Sequence, residues 1–182
     1  VLTPELDTGI RLRIADTSGT QAEGTYRGLA QDSDSAYAER YERYLGSGDA
    51  PDVPRLGEAT RLVPRSMLGR VAVQSGRFAG FDYRGLLLAG EDGRVKRFEM
   101  ARVDSMWRED GRGVSGLQLA SLDANHELPS RTLLLMDQSA HDANGVRRTS
   151  RVKVPWESAR QVQAMGQRTS VAAALVVGLA LD

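Results

Sequence analysis

Charged and apolar residues alternate over residues 11–16 (RLRIAD), the pattern of a half-buried strand. Thr17-Ser18-Gly19-Thr20 supplies a turn, and residues 23–30 (EGTYRGLA) form a second strand candidate. The period then changes. Over residues 33–45, Tyr37, Tyr41, Tyr44 and Leu45 recur at a spacing of three to four, opposite Glu39, Arg40, Glu42 and Arg43. This predicts one amphipathic helix, capped by Ser33 or Ser35 and ended by Gly46. Residues 46–58 are rich in Gly, Pro and Asp and read as a loop. Further on, short apolar strands precede tight turns. Leu86-Leu87-Leu88 leads to Asp92-Gly93, and residues 133–136 lead to Asn144-Gly145. Apart from the tyrosine segment and the C-terminal tail, no stretch sustains a 3.6-residue period.

The strand ends carry a short internal repeat. Its copies are residues 63–71 (VPRSMLGRV), 98–106 (FEMARVDSM) and 154–162 (VPWESARQV), with apolar residues at the first, sixth and ninth places. Two of the three have Pro at the second place, where a strand can stop without losing a ladder donor. Copies two and three also share an upstream Arg-x-Leu-Leu-Leu, at residues 84–88 and 131–135. A strand, a tight turn and a further strand with its own inward residue make the closing corner of a small, strongly bent barrel. Repeats of this kind decide the architecture.

The tail changes the picture. Residues 171–181 (VAAALVVGLAL) are an unbroken apolar run. It is too short to span a bilayer as a helix, which needs about 20 residues. Consecutive alanines favour a helix over a strand. The run fits a truncated membrane helix, a tail buried in a partner, or a core strand. Val171, Leu175, Val176 and Leu179 are its candidate membrane-contacting residues. Between residues 145 and 170 stand Arg147, Arg148, Arg151, Lys153, Arg160 and Arg168 against Glu157 alone. Basic residues beside an apolar segment suit anionic headgroups, and Arg147, Arg148 and Arg151 are candidate contacts; a solvated strand face is the other reading. The chain opens on Val1 without a signal-peptide pattern, which fits either a removed leader or a sequence that is part of a longer chain.

Composition narrows the chemistry. The 182 residues carry 24 basic and 24 acidic side chains, a balance that argues against a general nucleic-acid binder. No cysteine means no disulfide, no thiolate metal site and no cysteine nucleophile. With two histidines, a His-rich zinc site is not expected. There is no phosphate loop, and Gly113-Val114-Ser115-Gly116 lacks nucleophile-elbow spacing. His126 and His141 lie in polar, turn-rich stretches and read as loop residues. The acidic clusters at 32–34 and 137–142 do not match a calcium loop. Carboxylate pairs for acid–base work meet only in the fold. No catalytic, cofactor-binding or metal-binding residue is therefore expected. The aromatic residues supply candidates for protein contact. The tyrosine stripe is either a helix packing on its own barrel or a docking face of Tyr37, Tyr41 and Tyr44. Trp107 and Trp156 lie near equivalent corners of two repeat copies, as barrel caps, interface anchors or membrane-interface residues.

Val154-Pro155 to Val162, then Gly166 to Arg168, then the apolar run, give an order that resembles bacterial envelope proteins. In those proteins small Sm-like or SH3-like β-barrel modules lead into a Gly/Ala-rich hydrophobic segment. The resemblance covers residues 9–77 and 113–181, with 78–112 a degenerate copy, and departs from the pattern in the tyrosine helix and the short tail. It implies a non-catalytic β-module at a membrane and carries over no active-site residues. The expected fold is mainly β, with two or three tandem small SH3/Sm-like barrels, one inserted helix and an apolar, helical C-terminal segment. The expected divisions are 9–77 with the insertion 33–46, 78–168 with repeat-like units 78–112 and 113–168, and a tail 169–182. The expected function is a membrane-extrinsic accessory or scaffold subunit. It would dock on a larger membrane protein complex, such as a respiratory or photosynthetic one, with no cofactor, no nucleic acid and no small-molecule substrate. The alternatives are an Sm-like RNA- or ligand-binding module and a carboxylate-based enzyme. The resemblance places the protein on the periplasmic side, whereas the basic flank points to the cytoplasmic side.

Overall fold

The computed structural model describes residues 8–15, 21–47, 51–65, 72–125, 127–141, 143–159 and 161–165. Within them the chain forms, in order, β1 (Arg11–Ala15), β2 (Gln21–Gln31), α1 (Asp34–Leu45), β3 (Ala59–Pro64), β4 (Gln74–Asp82), β5 (Gly85–Ala89), β6 (Val95–Phe98), β7 (Val103–Arg108), β8 (Gly113–Ser115), α2 (Gly116–Ala124), β9 (Thr132–His141), β10 (Arg147–Pro155) and β11 (Gln161–Met165). Single 3-10 turns at Met100–Arg102 and Trp156–Ser158 precede β7 and β11. The fold is mainly β, with two antiparallel sheets.

The chain divides into two compact units, one nested in the other. The split unit takes the residues up to Gln31 and those from Thr132 on; the inserted unit is Asp32–Arg131. The split unit's sheet runs β10-β9-β2-β1-β11, and the inserted unit's runs β6-β5-β4-β3-β7-β8. Numbered within each unit, the first five strands follow the same order, 4-3-2-1-5, with a 3-10 turn before the fifth. Register makes the correspondence residue by residue. Phe98 pairs with Leu86 and Val154 with Leu134 at the fourth strand, while Met106 pairs with Leu62 and Val162 with Ile14 at the fifth. The sixth places of these two corners, Val103 and Ala159, are both buried. The second strands share a bulge, at Tyr26/Gly28 and at Phe78/Gly80. Its glycine has φ +120° in one unit and +104° in the other, a region open to glycine. At Gly80 a Cβ would also stand 2.5 Å from the Tyr37 hydroxyl.

Two expectations are corrected here. Val63 and Pro64, the first two places of the copy at residues 63–71, close the first strand of the inserted unit and pair with β7, whereas the other two copies begin at the end of a fourth strand; residues 66–71 lie outside the described residues. Among the described residues the expected inserted helix is joined by a second helix, α2. Over α2, Leu119 is buried but Leu117 is 75% exposed, so the stripe is too weak to read as a period. Its start is marked by Ser115, whose hydroxyl accepts the Gln118 N–H at 3.2 Å. Helix α1 begins as its sequence predicts, with the Ser33 hydroxyl accepting the Ala36 N–H at 3.4 Å.

Each unit has its own core. In the split unit Leu12, Ile14, Tyr26, Leu134, Met136 and Ala159 are buried together, with Val154, Trp156 and Val162 packed against them. In the inserted unit Tyr37, Tyr41, Phe78 and Phe81 form an aromatic cluster with ring centroids 5.1–6.3 Å apart, set among Leu62, Leu86, Leu88 and Met106.

Candidate anion-binding face

Alternation along the strands fixes which side chains leave the split unit's core. Leu12 and Ile14 point inward on β1, so Arg11 and Arg13 point outward. On β9, Leu134 and Met136 point inward, leaving Leu135, Asp137, Ser139 and His141 outside. On β10, opposite them, Lys153, Arg151, Thr149 and Arg147 share that outer side. On β2, Glu23 faces Arg13 and Thr25 faces both Arg11 and Asp137.

The outer charges form two clamps of the same design. Glu23 accepts from Arg13 Nε at 2.6 Å through Oε1 and from Arg11 Nη2 at 3.5 Å through Oε2. Asp137 accepts from Arg27 Nε at 2.6 Å through Oδ2 and from Arg151 Nε at 3.0 Å through Oδ1. The Asp137 side chain is only 13% exposed, whereas Arg27 and Arg151 are 47% and 59% exposed. The carboxylate thus lies beneath and the guanidiniums lie above it. Hydrogen bonds from Arg151 and then Arg27 hold the Asp137 carboxyl below its usual range. Arg147 donates to Ser139 Oγ at 3.1 Å, and Lys153 stands exposed opposite Leu135. The face carries Arg11, Arg13, Arg27, Arg147, Arg151 and Lys153 against Glu23 and Asp137, a net of four positive charges on a chain with none overall. Exposed ion pairs add at most about 1 kcal/mol each to stability. The arrangement therefore does more for the surface than for the fold, presenting preset guanidiniums to oxygen-rich anions.

The candidates taken from the sequence fall in different places. Arg147 and Arg151 belong to this face. Arg148, opposite Ala140, alternates to the other side of β10. Arg11, Arg13 and Arg27 were missed, because only register joins them to Arg151. Val171, Leu175, Val176 and Leu179 lie outside the described residues. Tyr37 and Tyr41 have no exposed surface: they are core, and as docking residues they are corrected. Tyr44 is half-buried against the same core. Trp156 packs on the split unit's core within the 3-10 corner. Trp107 is not at the equivalent corner but one residue beyond Met106 on β7, and it is 42% exposed.

Among the described residues no cluster of His, Asp or Glu has the arrangement of a metal site, and no helix is long and apolar enough to cross a membrane. Comparisons with protein-family models, curated proteins and solved structures find no match for this chain.

Proposed function

We propose that this protein is a non-catalytic, membrane-extrinsic accessory or scaffold subunit whose split unit rests its arginine face on anionic headgroups. The observation that carries the reading is the pair of Arg–carboxylate–Arg clamps. They hold four guanidiniums in place and, with Arg147 and Lys153, leave the outer face strongly positive. Such a surface is attracted to acidic lipid at about 1 kcal/mol per basic residue. In the sequence, the apolar run 171–181 follows β11 within a few residues, which suits an attachment that uses charge and apolar contact together. The shared strand order and 3-10 corners support reading each unit as a small SH3-like or Sm-like barrel. The resemblance to envelope modules favours the periplasmic side. For this face the RNA-binding alternative has less behind it, since the described outer face of the split unit carries no Phe, Tyr or Trp on which a base could stack.

Co-sedimentation of the full chain with vesicles tests this. Binding to vesicles of phosphatidylcholine with about one-third phosphatidylserine should exceed binding to pure phosphatidylcholine. It should fall about tenfold or more in Arg147→Gln/Arg151→Gln, and weaken as salt rises. Equal binding to both vesicles, or none to either, would reject the reading.

A further inference from the structure

The inserted unit offers a second outer face at the equivalent strand positions, built to the opposite plan. Register equates Arg13 with Arg61, Glu23 with Ser75, Asp137 with Ala89 and Arg27 with Ala79. The two clamping carboxylates of the split unit are thus replaced by small residues. The result is an open groove of roughly 710 Å³ whose lining includes the small residues Ala59, Ser75 and Ala89.

An exposed tryptophan on the neighbouring strand and an unclamped arginine share this outer side. Trp107 lies directly opposite Arg61 in the β3–β7 register. Its indole N–H donates to Ser105 Oγ at 2.9 Å, and the ring covers Gly113, where a Cβ would come within 2.8 Å of it. The ring is held in place yet stays 42% exposed. Arg61 is exposed and meets no carboxylate among the described residues. Arg77 donates to the Gly57 carbonyl at 3.0 Å and meets no carboxylate among the described residues. Arg108 is already neutralised by Glu58, at 2.9 Å. Glu91 and Glu109 sit in the turns at one end of the groove, which directs an incoming carboxylate away from them and towards Arg61.

We propose that this groove is the docking site for a short extended segment of a partner protein. An acidic side chain of that segment pairs with Arg61, a neighbouring apolar side chain packs on Trp107, and its main chain crosses the small-residue lining. The occupant supplies the carboxylate that Glu23 supplies internally in the split unit. Tryptophan and arginine are the residue types that carry most interface energy, and an unpaired, exposed guanidinium is where charge complementarity acts. The proposal uses a different unit from the lipid face and stands whether or not that face binds vesicles.

A display library of random twelve-residue peptides, panned on the full chain, is the test. The enriched peptides should be net acidic, and synthetic copies should shift the Trp107 indole N–H resonance. Arg61→Glu and Trp107→Ser should each weaken binding at least tenfold, Arg61→Lys less. An unchanged amide spectrum elsewhere would show that the variants fold, and Trp107→Ser should leave vesicle binding unaltered. Failure to enrich, enrichment of neutral or basic peptides, or binding indifferent to Arg61 and Trp107 would overturn the proposal. So would a uridine decamer that moves Trp107 where acidic peptides do not, which would point to a nucleic acid instead.

Discussion

Tyr37 is tied to Phe81 across 44 residues of sequence: its phenolic oxygen accepts the Phe81 backbone N–H at 2.9 Å while its own O–H donates to the Pro129 carbonyl at 3.2 Å. The guanidinium of Arg131 lies 4.6 Å from the ring centre and that of Arg40 5.7 Å. One buried side chain therefore joins α1, β4 and the segment before β9. Tyr44, two turns along the same helix, is the opposite case. Its buried hydroxyl has no hydrogen-bond partner among the described residues, and burial, followed by the charge of Glu127, pushes its pKa to about 12.

Removing these two hydroxyls should separate the cases. Tyr37→Phe leaves a buried N–H and a carbonyl without their partner and should cost about 1–3 kcal/mol. Tyr44→Phe removes only an unsatisfied group and should be neutral or stabilising. Urea unfolding of both variants checks this; an equal loss in the two would contradict the hydrogen-bond assignment.

Asp137 should titrate below its ordinary value of 3.8, because ionised it accepts from Arg151 and Arg27. A carboxyl whose pKa is lowered by folding contributes stability above the unfolded value, and that contribution is lost as pH falls through the folded value. The clamp should hold at pH 4 and open only in stronger acid. Carbon-13 NMR of the Asp137 carboxyl gives the midpoint, which should rise in Arg27→Gln/Arg151→Gln. A midpoint at or above 3.8 in the unaltered chain would be the contrary result.

Asp123 should behave in the opposite sense. Burial first, and then the charge of Asp82, raise its pKa above 3.8. Its favourable contribution is complete below the unfolded value and disappears as pH rises through the raised folded one, so at pH 7 an ionised Asp123 weakens the fold. Asp123→Asn should raise Tm at pH 7, with the gain shrinking towards pH 3. A lower Tm at pH 7 would mean that the carboxylate makes a favourable contact instead.

Local chemistry was legible in the sequence wherever it acts locally. The tyrosine helix, its serine cap and the turns at Gly93 and Gly145, both with positive φ, follow from short-range pattern. Corner copies two and three align in the same register as the hydrogen-bonded strands. The upstream Arg-x-Leu-Leu-Leu match does not. Leu86 is equivalent to Leu134 rather than to Leu133, because each pairs with the first residue of its corner. A one-residue slip of this kind moves every side chain to the other face. The arginine face was half visible for a related reason. Arg147 and Arg151 are close in sequence, but Asp137 meets Arg27 only through a pairing that spans 110 residues. Nesting leaves no mark in a linear reading, since a chain that departs from one sheet and returns to it looks like a series of consecutive strands.

That nesting favours one order of assembly over the other. Strands β2 and β9 are neighbours in one sheet, with Gln31 opposite Thr132, yet the whole inserted unit lies between them in the chain. Bringing the ends of a flexible loop of about 100 residues together costs about 4 kcal/mol in chain entropy. Once the inserted unit has folded, the Asp32 N–H donates to the Arg131 carbonyl at 2.7 Å, so its two ends are already side by side. The inserted unit then acts as a prefabricated hairpin turn for the split unit. The arginine face shares in this economy: Arg27 and Asp137, 110 residues apart in the chain, meet at a lower entropic cost when the inserted unit has already brought its ends together.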